Sequence, residues 1–191
     1  MPTLNTIAVY AGAASGHYEN YADSIAQLAK ALVASNITLV YGGGKNGLFG
    51  RLADTVMQQG GKVIGVITQF LVDKEIAHGG ITELHIVDTM SERKKRYAEL
   101  ADGFIMLPGG LGTFEEFFET LTHAQLGFHS KPCGILNINN YYDKLLEFLN
   151  YSAAQQFIPE ASYKMILVDN HPEKLLTKMA NYSGLEKTRY G

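Results

Sequence analysis

Leu107-Pro108-Gly109-Gly110-Leu111-Gly112-Thr113-Phe114-Glu115-Glu116 lies between two runs of different period. Upstream, Gly103-Phe104-Ile105-Met106-Leu107 is a continuous apolar run of the length of a buried strand. Downstream, Phe117-Phe118-Glu119-Thr120-Leu121 has helical spacing. The stretch therefore predicts a strand, a glycine loop and a helix, in that order. The glycines let the backbone approach a ligand closely. A helix opening at Thr113 directs its first, unpaired amides back into the loop, and such an N-terminus is a ready anion site. Glu115 and Glu116 follow in the first turn. A phosphate cradle with an acid at its rim points to chemistry on a phosphorylated small molecule.

Outward from this stretch the same alternation recurs. Strands are expected at 6–10, 37–41, 62–67, 83–87, 134–138 and 165–168, and helices at 20–35, 48–59, 91–101, 113–126, 142–155 and 172–182. Leu145, Leu146, Phe148 and Leu149 are the expected apolar face of the 142–155 helix. Residues 69–80 carry no clean pattern and predict a loop with a short helix, and the tail from Ser183 is expected to fray. Strands and helices alternate about seven times, which predicts a single Rossmann-like α/β domain over residues 1–191. Its sheet would be predominantly parallel, with helices on both faces. Ligands of such sheets bind beyond the carboxyl ends of the strands. Three loops there are rich in small residues, 11–16, 42–47 and 108–113. The site is placed where they converge, with Gly12, Ser15, Gly43, Gly44 and Gly109 as candidate contacts.

The bulk numbers narrow the function. The chain has 191 residues, 46% hydrophobic and 18% charged, with net charge −3. That balance argues against a sequence-independent nucleic-acid binder, which needs a basic surplus. No run approaches the ~18 apolar residues of a membrane span, and the N-terminus lacks a charged-then-apolar signal pattern, so a cytoplasmic protein is expected. Cys133, in the apolar run Cys133-Gly134-Ile135-Leu136, is expected to be a buried, inert thiol.

Several motifs need weighing. Gly42-x-Gly44-x-x-Gly47 resembles a dinucleotide fingerprint, but the acid expected at the end of the following strand is replaced by Ile67-Thr68-Gln69. A tight turn or a mononucleotide loop fits better. The histidines at 17, 78, 85, 123, 129 and 171 show no metal spacing. His123 is seven residues after Glu116 and near the same helical face. Ser91-Glu92-Arg93-Lys94-Lys95-Arg96 puts four cations into the first turns of a helix, against the dipole, at about a few tenths of a kcal/mol each. Ser91 is its expected N-cap, Lys95 and Arg96 are expected to be solvated, and an anionic ligand or a neighbouring carboxylate accounts best for Arg93. Thr113-x-x-Glu116 has the spacing of a capping box, in which the glutamate reaches back to the N-cap amide. Capping and catalysis both remain open to Glu116.

Taken together these residues resemble the Lonely Guy family of cytokinin riboside 5′-monophosphate phosphoribohydrolases. The resemblance rests on Pro-Gly-Gly-x-Gly-Thr-x-x-Glu (108–116), on Met90-Ser91-Glu92-Arg93-Lys94, and on Gly42-Gly43-Gly44 with Gly47-Leu48-Phe49-Gly50. Ala124-Gln125-Leu126-Gly127, Lys131-Pro132 and Tyr141-Tyr142-Asp143 extend it over roughly residues 6–170. It implies a homodimer or higher oligomer that uses neither cofactor nor metal. The implied activity is hydrolysis of the N-glycosidic bond of a nucleoside 5′-monophosphate to free base and ribose 5-phosphate. Arg93 and Glu116 would be catalytic. Glu75, Arg93, Lys94, the stretch from Gly110 through Leu111, Gly112, Thr113, Phe114 and Glu115 to Glu116, and Thr122 would contact the nucleotide. Members of the family were often labelled lysine decarboxylases, yet no lysine context for pyridoxal phosphate can be identified. Leu111 stands where many relatives have tyrosine, His123 where tryptophan is common and Ser91 where histidine often occurs; the 11–16 loop lacks the usual paired serines. These departures bear on base preference, and adenylate and prenylated adenylate are both open. The rival reading from another class is a non-catalytic nucleotide or molybdenum-cofactor carrier on the same fold.

Overall fold

A computed structural model of the chain describes residues 4–17, 19, 21–74 and 76–184. Seven strands form one sheet: β1 (Thr6–Tyr10), β2 (Thr38–Tyr41), β3 (Val63–Thr68), β4 (Glu83–Val87), β5 (Gly103–Met106), β6 (Cys133–Leu136) and β7 (Ile166–Asp169). The helices are α1 (Tyr21–Ala34), α2 (Gly47–Gln58), α3 (Gln69–Val72), α4 (Met90–Leu100), α5 (Leu111–Gln125), α6 (Asp143–Ala154), α7 (Glu160–Tyr163) and α8 (Pro172–Ala180). A 3-10 turn spans Ile138–Asn140. The short α7 has no counterpart in the sequence reading. The tail expected to fray falls, from 185 on, outside the described residues. No helix among them is long and apolar enough to cross a membrane.

The sheet order is β4-β3-β2-β1-β5-β6-β7, and every pairing is parallel. The chain builds outward from β1 to β4, then returns through α4 to start β5 on the other side of β1. Tyr10 pairs with Met106 where these two strands end. Their following loops leave in opposite directions, which opens a crevice at that point.

Successive strand residues feed opposite cores. Ile7, Val9, Leu39 and Ile105 pack with Leu28, Leu32, Leu52 and Met179 from α1, α2 and α8. Ala8, Tyr10, Val40, Phe104 and Met106 pack with Tyr97 of α4, Phe117 of α5 and Tyr142. Being buried on both faces, the central strands read as unbroken apolar runs. Cys133 is buried there, and burial raises its thiol to about 12, so the inert reading holds.

Local expectations fail at the α4 cap and on α6, while the 42–47 loop follows β2 as expected. The N-cap of α4 is Thr89, two residues before Ser91. Its Oγ1 accepts from the Glu92 amide at 3.1 Å while Glu92 Oε2 accepts from the Thr89 amide at 3.3 Å, a capping box. Phe148, expected on the buried face of α6, is 62% exposed, and Leu149 alone of that set is fully buried. The 42–47 loop follows β2, so it lies one strand away from the first βα turn that a dinucleotide fingerprint occupies.

Gly47 starts α2 at φ +68°, and a Cβ there would sit 2.3 Å from the Ala13 carbonyl carbon and oxygen. The 11–16 loop leans on this position through the Leu48 amide, which donates to Gly12 O at 3.0 Å. Gly60 has a similar φ of +79° but open space around it. Gly47→Ala should therefore cost about 3 kcal/mol or more and Gly60→Ala about 1 kcal/mol, read as urea midpoints at unchanged slope.

Candidate active site

The loops following β1, β2 and β5 enclose a cavity of about 360 Å³. At one end lie Gly12, Ala13, Gly110, Gly112 and Thr113. Here α5 begins at Leu111 with Gly110, in extended conformation, as its N-cap. Thr113 is thus the third residue of the helix and not its cap. The anion site survives this correction, since the amides of residues 111–113 still lack helical acceptors. Three bonds hold the loop in shape: Gly12 N–H to Pro108 O at 3.0 Å, Tyr141 O–H to Gly109 O at 2.8 Å, and Tyr142 O–H to Leu107 O at 2.7 Å.

Arg93 and Glu116 meet in the middle of the cavity, with Nη1 to Oε1 at 3.6 Å. Arg93 is held by backbone carbonyls of β3 and of the loop after β2. Its Nε donates to Val66 O at 2.8 Å, its Nη2 donates to Gly42 O at 3.1 Å, and its guanidinium lies 5.5 Å from the centre of the Tyr97 ring. The helix-start cation that works against its own dipole is therefore anchored to β-strand ends. Glu116 does not close a capping box, because Gly110 occupies the N-cap and Arg93 draws the carboxylate into the cavity. That carboxylate is 13% exposed, with no hydrogen-bond donor among the described residues. Burial raises its pKa from 4.5 to about 7; Arg93 opposes this, and the nearby Glu115 adds to it. A carboxyl group poised near neutrality in a cleft is a candidate acid or base.

The other end of the cavity is apolar, lined by Phe49, Ile67, Leu71, Ile76 and Met90. None of these side chains, nor Tyr10 or Tyr97, was a site candidate from the sequence, although Phe49 and Met90 lie within the family's motifs. The usable signals were Tyr10 at the carboxyl end of β1 and Tyr97 one turn after Arg93.

The remaining candidates divide. Gly44 and Glu115 line the cavity. Lys94 ties Glu115 at 2.5 Å and Glu119 at 3.1 Å, contacts that raise its pKa. A Schiff-base lysine needs a neutral amine, so Lys94 is the wrong lysine for decarboxylase chemistry. Gly109 lines an adjoining hollow with Tyr141, while Ser15 lines neither. Gly43, at φ +70°, backs onto Ile67 and Leu84. Leu111 is 86% exposed, and Phe114 packs edge-on against Tyr142. Thr122 is exposed and donates to Phe118 O, away from the cavity. Glu75 lies outside the described residues. Arg96, expected to be solvated, has a 39% exposed side chain that also bonds His85 Nδ1 at 3.1 Å and Glu99 at 3.0 Å. His123 sits edge-on to Phe128 beside a second hollow that Glu116 also lines.

Comparisons with known proteins identify the family of the chain. The family model described as "Possible lysine decarboxylase" matches residues 49–179. A cytokinin riboside 5′-monophosphate phosphoribohydrolase from Rhodococcoides fascians is 45% identical over 168 residues, covering 87% of this chain and 85% of that one. One of the same name from Oryza sativa is 42% identical over 92% of this chain and 73% of its own length. Among solved structures, a molybdenum cofactor binding protein from Rippkaea orientalis superposes with TM-score 0.66 at 18% identity, covering 92% and 94% of the two chains. The molybdenum cofactor carrier protein of Chlamydomonas reinhardtii also gives 0.66 at 18% identity, over 91% and 94%. At that identity the likeness is one of fold.

Glu116 carries a stability cost whose sign follows from its raised pKa. Between pH 4.5 and about 7 the folded chain holds a proton that the unfolded chain has released, so stability falls as pH rises through that window. The full cost above pH 7 is about 3 kcal/mol. Glu116→Gln should raise the melting temperature at pH 8, and the gain should vanish below pH 4.5 in thermal scans at both values.

Proposed function

The chain belongs to the Lonely Guy family of cytokinin riboside 5′-monophosphate phosphoribohydrolases, and from that premise we propose that its cavity hydrolyses the N-glycosidic bond of an N6-prenylated adenosine 5′-monophosphate. The observation that carries the reading is Glu116, a carboxylate buried in a cavity with Arg93 as its ion-pair partner among the described residues. The three parts of the cavity match the three parts of such a substrate. The 5′-phosphate goes to the amides at the start of α5. The ribose goes over Glu116 and Arg93. The adenine, with its N6 substituent, goes toward Phe49, Ile67, Leu71, Ile76 and Met90.

The chemistry follows from that placement. As the C1′–N9 bond breaks, its electron pair leaves with the base and positive charge develops on the ribose ring. An ionised Glu116 stabilises that charge and accepts a proton from the water whose oxygen bonds to C1′. A proton passes to the departing base, so the products are free base and ribose 5-phosphate. Arg93 keeps Glu116 partly ionised against burial, and its bonds to Val66 O and Gly42 O keep it from following the carboxylate. The phosphate is a remote handle whose binding energy positions the sugar. A carrier on this fold would bind a ligand without needing Glu116, so turnover separates the two readings.

Chromatography of incubations should show free base from isopentenyl-AMP and, about tenfold less efficiently, from AMP, because the five-carbon group buries apolar surface. Nucleosides without phosphate should be poorer by about a hundredfold or more. Intact nucleotides across a wide panel would sink the proposal. Turnover should rise through pH 7 and level off above it, with about a tenth of the plateau at pH 6, since the ionised carboxylate is the working form. Arg93→Ala should lower kcat by about a hundredfold.

A further inference from the structure

Among the described residues none donates a hydrogen bond to the Glu116 carboxylate, so its place relative to Arg93 is set through its main chain and rotamer. One buried chain of hydrogen bonds grips that main chain from the sheet. The Tyr10 and Thr120 hydroxyls lie 3.0 Å apart, and Thr120 Oγ1 donates to Glu116 O at 2.9 Å. The single hydroxyl proton of Thr120 is committed to that carbonyl, so Tyr10 O–H must donate to Thr120 Oγ1. The next turn is gripped again. His129 Nδ1 accepts from the Lys131 amide at 3.2 Å, which leaves Nε2 carrying the proton that goes to Thr120 O at 3.1 Å.

The Tyr10 ring is itself immobilised. It stacks on Phe104 of the neighbouring strand at 6.1 Å and 13°, and meets Tyr97 edge-on at 5.7 Å and 73°. Tyr97 is the ring beneath the Arg93 guanidinium. The two partners of the ion pair are thus seated on two tyrosines in direct contact, Arg93 on Tyr97 and the Glu116 turn on Tyr10 through Thr120. Tyr10 is only 4% exposed, and burial with the charge of Glu116 keeps its hydroxyl protonated, hence a permanent donor.

We infer that Tyr10 is a positioning residue for the glycosidase reaction, its hydroxyl holding the Glu116 turn of α5 at the spacing from Arg93 that the chemistry needs. The inference rests on the function proposed above, deepens it, and names a residue whose hydroxyl pairs with Thr120 and not with the carboxylate or the guanidinium. Tyr10 also lines both the cavity and the second hollow of about 220 Å³ behind Glu116, so the clamp forms part of the wall between them.

The test compares Tyr10→Phe, Thr120→Val and Thr120→Ser. Phenylalanine keeps both ring contacts, so the melting temperature should stay within a few degrees of wild type. kcat for isopentenyl-AMP should fall about tenfold with KM within about twofold, and the midpoint of the pH profile should move by about half a unit. Thr120→Val should reproduce the loss, Thr120→Ser should restore it, and the double variant Tyr10→Phe/Thr120→Val should be no worse than either single one. Wild-type kcat and an unmoved pH midpoint in Tyr10→Phe would overturn the inference. If wild-type protein leaves every nucleotide intact, the proposed function fails by itself. The inference is then decided by 13C NMR titration of the Glu116 carboxyl, whose midpoint should move in Tyr10→Phe and Thr120→Val and hold in Thr120→Ser. An unchanged titration in all three overturns it.

Discussion

Everything in this site follows from holding one carboxylate out of water, 3.6 Å from one guanidinium. An isolated buried carboxylate protonates, and one fully paired by hydrogen bonds loses its reactivity as a base. Glu116 sits between these limits, with a pKa near 7, because burial outweighs the attraction of Arg93 without cancelling it. Neither group can relax toward the other. The guanidinium is spent on two backbone carbonyls, one from β3 and one from the loop after β2, and α5 is tied to β1 and to the loop before β6. The unfavourable charge placement at the start of α4, and the stability that an ionised Glu116 takes from the fold, are both consequences of this arrangement.

The topology explains why such a pair can exist here. Because β1 and β5 are neighbours whose loops diverge, side chains from the successive helices α4 and α5 can reach the same crevice. Arg93 enters from the β3 side and Glu116 from the β5 side. The glycine loop then places unpaired amides beside the carboxylate, and the apolar residues from β3, α3 and the start of α4 close the opposite end. A phosphate, a sugar and a base with an apolar substituent fit that sequence of environments in order.

The same local pattern appears twice with opposite outcomes, and the contrast shows how far sequence reading reaches. Thr89-x-x-Glu92 and Thr113-x-x-Glu116 both have capping-box spacing. The first forms the box, with exposed Glu92 also accepting from the Asp88 amide at 2.9 Å. The second does not, since Gly110 starts the helix three residues earlier and a cation waits across the crevice. Spacing along the chain is identical; the partner 23 residues upstream in sequence is what differs. Phe148 fails for a related reason, because helical periodicity finds an apolar face without knowing whether another layer covers it.

By itself, the sequence determined the parallel α/β class, the element order, the glycine loop with its helix, and the pairing of Arg93 with Glu116 through the family's motifs. These are carried by periodicity, by backbone requirements at glycine and by residues in fixed order, all of which are written along the chain. Only the tertiary structure decided which helix residue is the cap, which candidates face the cavity, and that Tyr10, Thr120 and Tyr97 brace the charged pair. Those facts depend on distances between side chains from separate strands and helices, and on how much water burial removes from a charge. Neither quantity has a local signature.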